Sequence, residues 1–177
     1  LRRIAAICAT STGRLLTPAD IQGCDLDQHQ IDRIEATHAP IAEILPLTPL
    51  QEGFLFHALY DRGIEDIYLS QITFTLEGTL DRERLARAAK ALLSRHPAQA
   101  ASFLHEGLDK PVQVIPVSPE LPWRQVNLDG PADLSLKKVQ DEDLSRPMPL
   151  DRGPLLRFTL ACESDDRHHL VLTNHHI

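Results

Sequence analysis

The chain has 177 residues, 42% hydrophobic and 24% charged, with a net charge of −7. That length holds one domain with a real core, and the acid excess argues against a nucleic-acid surface, which is basic. No apolar run approaches the roughly 18 residues needed to span a bilayer, and the opening "LRRIAAICAT" lacks the long apolar stretch of a signal peptide and reads as mid-protein sequence.

Residues 1–9 read as the last turns of a helix, with Leu1, Ile4 and Cys8 on one face. "STGRLLTPAD" breaks it. Residues 13–46 then read as a polar connector interrupted by Gly23 and Pro40, with a short helical stretch near "LDQHQIDRIEA" whose apolar positions are Leu26, Ile31 and Ile34. A helix opens at "LTPLQEGFLFHALYDRG". Thr48 suits the N-cap, Pro49 the first turn, and Thr48 with Gln51 makes a capping box. Leu50, Phe54, Leu55, Ala58 and Leu59 form its apolar face, and Gly63 can end it.

"QITFTLEG" alternates strictly, with Ile72, Phe74 and Leu76 on one side, as a half-buried strand does. The next helix, "LDRERLARAAKALLSRHP", is capped by Asp81 and stopped by Pro97, with a core stripe of Leu85, Ala88, Ala89, Leu92 and Leu93. "AASFLHE" and "PVQVIPV" suggest a hairpin around Gly107, residues 132–146 a helix, and "PLLRFTLACE" and "HHLVLTNHHI" two strands turning at "SDDR". Strand, helix, two strands, helix, two strands is an α/β order, with helices layered on one sheet.

Cys8, Cys24 and Cys162 are odd in number and lack C-x-x-C spacing, which fits reduced thiols in a cytosolic protein. Nine histidines are many for this length, and four lie in "HHLVLTNHH". A metal site there is opposed by geometry. In a strand His169 shares a face with His175 and His168 with His176, but these pairs stand roughly 20–26 Å apart, whereas ligands of one zinc each sit about 2 Å from it. Adjacent His175 and His176 point to opposite faces. An acid–base role is better supported, because imidazole titrates near neutrality and can take a proton from an attacking amine or alcohol. No Gly-x-Ser-x-Gly elbow or reactive Cys–His context supports covalent catalysis. Taken alone, Arg95 and His96 are accounted for by the attraction of cations to a helix C-terminus, Trp123 by packing, and Asp165 and Asp166 by a solvated turn.

Four stretches in fixed order change this reading. "LPLTPLQEGFLFHAL" (45–59) resembles the first core motif of condensation domains in nonribosomal peptide synthetases, and "SRHPAQAASF" (94–103) their Arg-His-x-x-Leu-Arg-x-x-Phe motif. "MPLDRGPLLRFTL" (148–160) is similar to the Pro-Leu-x-x-Gly-Pro-Leu-x-Arg stretch, and "NHHI" (174–177) to the opening of the His-His-x-x-x-Asp-Gly motif, whose Asp and Gly would follow Ile177. The resemblance covers residues 41–177 and implies the N-terminal lobe of a chloramphenicol acetyltransferase-like fold, a mixed sheet with helices packed on it. A second, C-terminal lobe would complete a tunnel between the two.

The resemblance implies the joining of an upstream acyl or peptidyl thioester to the amine of a downstream aminoacyl thioester. Both ride on 4'-phosphopantetheine arms of carrier domains, and the domain itself binds no cofactor. His176 takes the central catalytic place, with His175, Arg95 and His96 as structural support. Residues 1–40 resemble the linker or tail after an epimerization domain, and the first motif the version that takes a D-configured donor. Carrier, epimerization and adenylation domains are the implied partners, with neither nucleic acid nor membrane, in the cytoplasm. Gln99 and Ala100 depart from the usual Leu-Arg, whose arginine pairs with the motif aspartate in the family. The alternatives are a catalytically silent relative that docks carrier domains, or an epimerization or cyclization domain. Cyclization domains replace the His pair by aspartates.

Overall fold

The computed structural model describes residues 16–38, 40–60 and 68–177. The helical reading of residues 1–9, Cys8 and the stop at Gly63 therefore lie outside the described residues. In chain order the described elements are a 3-10 turn (Pro18–Asp20), α1 (Gln28–His38), β1 (Ile41–Pro46), α2 (Pro49–Tyr60), β2 (Leu69–Glu77), α3 (Arg82–Arg95), a second 3-10 turn (Pro97–Ala100), β3 (Ser102–Leu104), β4 (Val112–Pro116), β5 (Trp123–Asn127), α4 (Ala132–Ser145), β6 (Leu156–Cys162) and β7 (Arg167–His175). The α/β class with a mixed sheet is as expected. The single sheet is not: the strands form two, ordered β1-β4-β3 and β2-β7-β6-β5.

The larger sheet positions the histidines. β7 is antiparallel to both β2 and β6, while β5 runs parallel to β6. A parallel pair needs a crossover, and α4 supplies it. β6 is buried along its whole length. Two of its residues meet α3: Leu93 packs with Leu156 and Phe158, joined by Ala89, Trp123, Leu170 and Leu172. Asp81 caps α3 as expected, accepting from Arg84 N–H at 2.9 Å. The stripe is narrower than expected, since Leu92 is exposed.

α4 lies on the opposite face of this sheet and meets it through polar groups. Gln140 Nε2 donates to Thr73 Oγ1, Gln71 Nε2 donates to Gln140 O and Thr173 Oγ1, and Thr159 and Thr173 both donate to Asp143. The half-buried strand expected here is β2, and its polar side faces a helix, while Ile72 and Phe74 on the other side remain 50% and 47% exposed.

The smaller sheet contains two strands of the expected hairpin, β3 and β4. Gly107 turns between them at φ +68°, a conformation that side chains disfavour. The third strand, β1, falls in the stretch read as connector, and β5 was likewise not expected. The helical stretch expected near residue 30 is α1. With the segment before it, α1 contributes Leu16, Ile21, Leu26, Ile31 and Ile34 to a core that also holds Ile41, Ile44, Val112 and Val114. Polar contacts add to this: Arg33 donates to Glu106 O at 2.8 Å and Glu35 accepts from Leu16 N–H at 3.0 Å.

Candidate functional site

β7 delivers the paired histidines to the end of the larger sheet. His175 pairs with Leu69 across the β2–β7 ladder, and its N–H donates to Leu155 O at 3.0 Å. One residue on, His176 N–H donates to Tyr68 O at 3.0 Å, so the turn is held from both neighbouring strands. His175 is buried and His176 exposed. The His175 ring closes the turn: its Nδ1 accepts the N–H of Ile177 at 3.0 Å. An accepting ring nitrogen carries no proton, so this bond selects the tautomer protonated at Nε2. The two histidines therefore divide into one that holds the turn and one whose imidazole reaches solvent.

The first motif lies against this turn. The capping box at the start of α2 is present: Thr48 N–H donates to Gln51 Oε1 at 2.9 Å and Gln51 N–H to Thr48 Oγ1 at 3.3 Å. α2 then places Phe54 edge-on to the Tyr68 ring, 4.8 Å between centroids, while His57 and His175 each lie 6.0 Å from Tyr68. Leu55 and Leu59 share a cluster with Leu47, Ala101, Phe103, Leu155 and Ile177, so the residue after His176 is packed beneath α2. Leu50, expected on the inner face, is 68% exposed.

The second and third motif-like stretches meet each other. Phe103 N–H donates to Leu150 O at 2.7 Å and Gly153 N–H to Ser102 Oγ at 2.8 Å. A Cβ on Gly153 would collide with the carbonyl oxygens of Ala100 and Ala101, which explains glycine at this position. Ala100 is buried, and the adjacent Ala101 shares the cluster of Ile177. Arg95 and His96 are exposed at the C-terminal end of α3. Among the described residues neither forms a hydrogen bond or ion pair with His176.

The remaining histidines of β7 lie at its far end. His169 bridges Thr75 Oγ1 at 3.1 Å and Glu163 Oε2 at 2.8 Å. His168 is fully buried with neither ring nitrogen hydrogen-bonded, and burial, with Arg82 nearby, pushes its pKa below the usual value. Among the described residues no three possible ligands converge on a metal position. Cys24 and Cys162 are free thiols, and burial, with Asp25 beside it, raises the Cys24 pKa, which keeps that thiol protonated.

Three residues near the site were not singled out from the sequence: Tyr68, Asp143 and Thr173. Asp143 is the one with a usable signal. It lies four residues after Val139, on the buried stripe of α4, where a lone carboxylate needs partners.

The family model described as "Condensation domain" matches residues 41–177. A linear gramicidin synthase polypeptide of Brevibacillus parabrevis is 33% identical over 182 residues, which is 100% of this chain and 4% of that protein. Chondramide synthase cmdD of Chondromyces crocatus is 30% identical over 91% of this chain and 5% of its own length. Among solved structures, the first condensation domain of the calcium-dependent antibiotic synthetase, in complex with a substrate analogue, is 28% identical. It superposes with a TM-score of 0.62 over 74% of this chain and 32% of its own. The condensation domain from monacolin K polyketide synthase MokA shares the fold at 18% identity, with a TM-score of 0.67. No helix among the described residues is long and apolar enough to cross a membrane. The chain belongs to the condensation-domain family found in nonribosomal peptide synthetases and has the chloramphenicol acetyltransferase-like fold of that family.

Proposed function

We propose that this chain is the N-terminal lobe of a domain that forms an amide bond between two carrier-bound substrates, with His176 as the residue that acts on the reacting amine. The carrying observation is the division of labour at the end of β7: His175 is buried and closes the turn through Nδ1, while the His176 imidazole is exposed. The amine of the downstream aminoacyl thioester attacks the carbonyl carbon of the upstream thioester. The ring nitrogen of His176 that carries no proton accepts the proton the amine loses. The tetrahedral intermediate then expels the upstream thiolate, which takes up a proton, and the lengthened chain stays on the downstream arm.

Both substrates arrive on 4'-phosphopantetheine arms, and no cofactor is held by the lobe itself. Carrier domains on both sides, a C-terminal lobe, and adenylation and epimerization domains are the partners. An epimerization domain upstream is inferred from the resemblance of residues 1–40, with their Thr-Pro-x-Asp stretch, to the linker or tail that follows such domains. A D-configured donor follows from that reading, and the cytoplasm is the compartment. The supporting role of Arg95 and His96, at the exposed end of α3, rests on the motif resemblance alone. The chain spans about a third of the solved domain it resembles. By itself it does not catalyse the reaction, because one wall cannot hold both reacting groups at the roughly 3–3.5 Å that proximity effects require.

The test is His176→Ala in the intact synthetase, with both carriers loaded and the dipeptidyl thioester followed by mass spectrometry. Loading is expected to be unchanged and amide formation lost. Wild-type turnover would remove His176 from the mechanism. A silent docking relative would make no amide in either form.

A further inference from the structure

Thr173 stands two residues before His175 on the same face of β7, is fully buried, and makes two side-chain hydrogen bonds. Its Oγ1 donates to Asp143 Oδ2 at 2.9 Å and accepts from Gln71 Nε2 at 3.0 Å. Asp143, also fully buried, accepts in addition from Thr159 Oγ1 at 3.4 Å and pairs with Arg157, Nε to Oδ2 3.8 Å. Arg157 in turn donates to Asp143 O and Arg146 O, both at 2.7 Å, and so caps the end of α4. One carboxylate thus connects β6 and β7 directly, and β2 through Gln71, to a single helix.

Burying a carboxylate and a guanidinium is costly, and an apolar contact of the same volume would often stabilise as well or better. The opposite face of this sheet uses such a contact, Leu93 on Leu156 and Phe158. Apolar side chains can slide and repack. A carboxylate that takes directed bonds from two threonine hydroxyls, beside the Arg157 charge, has one acceptable arrangement, and a half-satisfied arrangement is penalised heavily. The polar layer therefore specifies where β7 sits along and above its neighbours, and the His175–Ile177 turn follows directly from its end.

We propose that Asp143 and Thr173 are positioning residues, which act through β7 to hold His176 at the height and orientation its reaction needs. The proposal rests on the reading of His176 given above. In the intact synthetase, Thr173→Val keeps the shape of the side chain and removes its hydrogen bonds, Thr173→Ser keeps the hydroxyl, and Asp143→Asn keeps the volume and removes the charge. Steady-state amide formation is measured below each variant's melting temperature, beside His176→Ala.

The expected result is a fall in kcat of tenfold or more for Thr173→Val and Asp143→Asn, with KM for the loaded carriers unchanged, and near wild-type kcat for Thr173→Ser. A merely structural role would lower the melting temperature and leave kcat intact, and that result overturns the proposal. Should Thr173→Val fail to fold, Gln71→Met on the edge strand removes the other bond to the same hydroxyl, and an unchanged kcat there overturns it equally. A His176→Ala enzyme with wild-type turnover overturns the reading of the site together with the proposal. An inactive His176→Ala beside a fully active Thr173→Val overturns the positioning role alone.

Discussion

Substituting Ile31 by alanine tests whether the segment before the family-matched region belongs to the fold. Ile31 is 0% exposed and sits on α1 among nine buried apolar residues, five of which, Leu16, Ile21, Leu26, Ile31 and Ile34, precede residue 41. Burying an isoleucine contributes about 1.5–3 kcal/mol. Truncation in a core where neighbours collapse only partly raises the loss to about 2–5 kcal/mol. The partners here are strand residues, Ile41, Ile44, Val112 and Val114, whose backbones are fixed by the β1–β4 ladder, so little collapse is expected. Equilibrium unfolding in guanidinium is followed by far-UV circular dichroism and by fluorescence of Trp123, the single tryptophan. Trp123 lies on the other sheet, against Phe158, so it reports on α1 only through cooperativity. The two transitions should move together to lower denaturant by an amount equivalent to about 2–5 kcal/mol. A change below about 0.5 kcal/mol, the range of ordinary surface substitutions, would refute the packing argument. A Trp123 transition that stays in place would refute the single cooperative unit.

Three further outcomes follow from individual contacts. Gly153→Ala places a methyl against the backbone carbonyls of Ala100 and Ala101, which cannot swing aside, and should cost about 1–3 kcal/mol in thermal unfolding. A cost near zero would show that the 148–154 loop moves freely. His168 is buried neutral with its pKa lowered, so the unfolded chain binds its proton more readily than the folded one. Stability is therefore full above the unfolded value of about 6.5 and falls as pH drops below it, by up to about 1.4 kcal/mol per pH unit until the folded value is reached. His168→Leu should flatten the dependence of Tm on pH below about 6.5, and an unchanged slope would assign the acid sensitivity to other groups. His176→Ala should leave Tm within about 1–2 °C of wild type, because the side chain is exposed and makes no side-chain hydrogen bond among the described residues; a large drop would mean that lost activity reflects lost fold.

Much of the secondary structure was readable because its causes are local. Asp81 before the heptad-like run of α3, the Thr48–Gln51 box of α2 and the apolar segments that pair as β6 and β7 each depend on residues within a turn or a strand's length. The histidine pair was readable for the same reason: a strand end must turn, and adjacent side chains there point apart. Strands β1 and β5 were not, since "IAEILP" and "WRQVN" carry weak patterns and become strands by pairing with β4 and β6 respectively. The alternation of β2 showed that one face was apolar but not which face would be covered. Tertiary structure gave the covered face to Gln71 and Thr73, because α4 brings Gln140 and Asp143 to that side. Nor did any local pattern link Thr173 to a carboxylate 30 residues earlier. The sequence by itself determined which segments could be helix or strand and which residues could take a proton. Only the packed chain decided which histidine is buried and which is exposed, because burial and hydrogen-bond partners come from residues far apart in sequence.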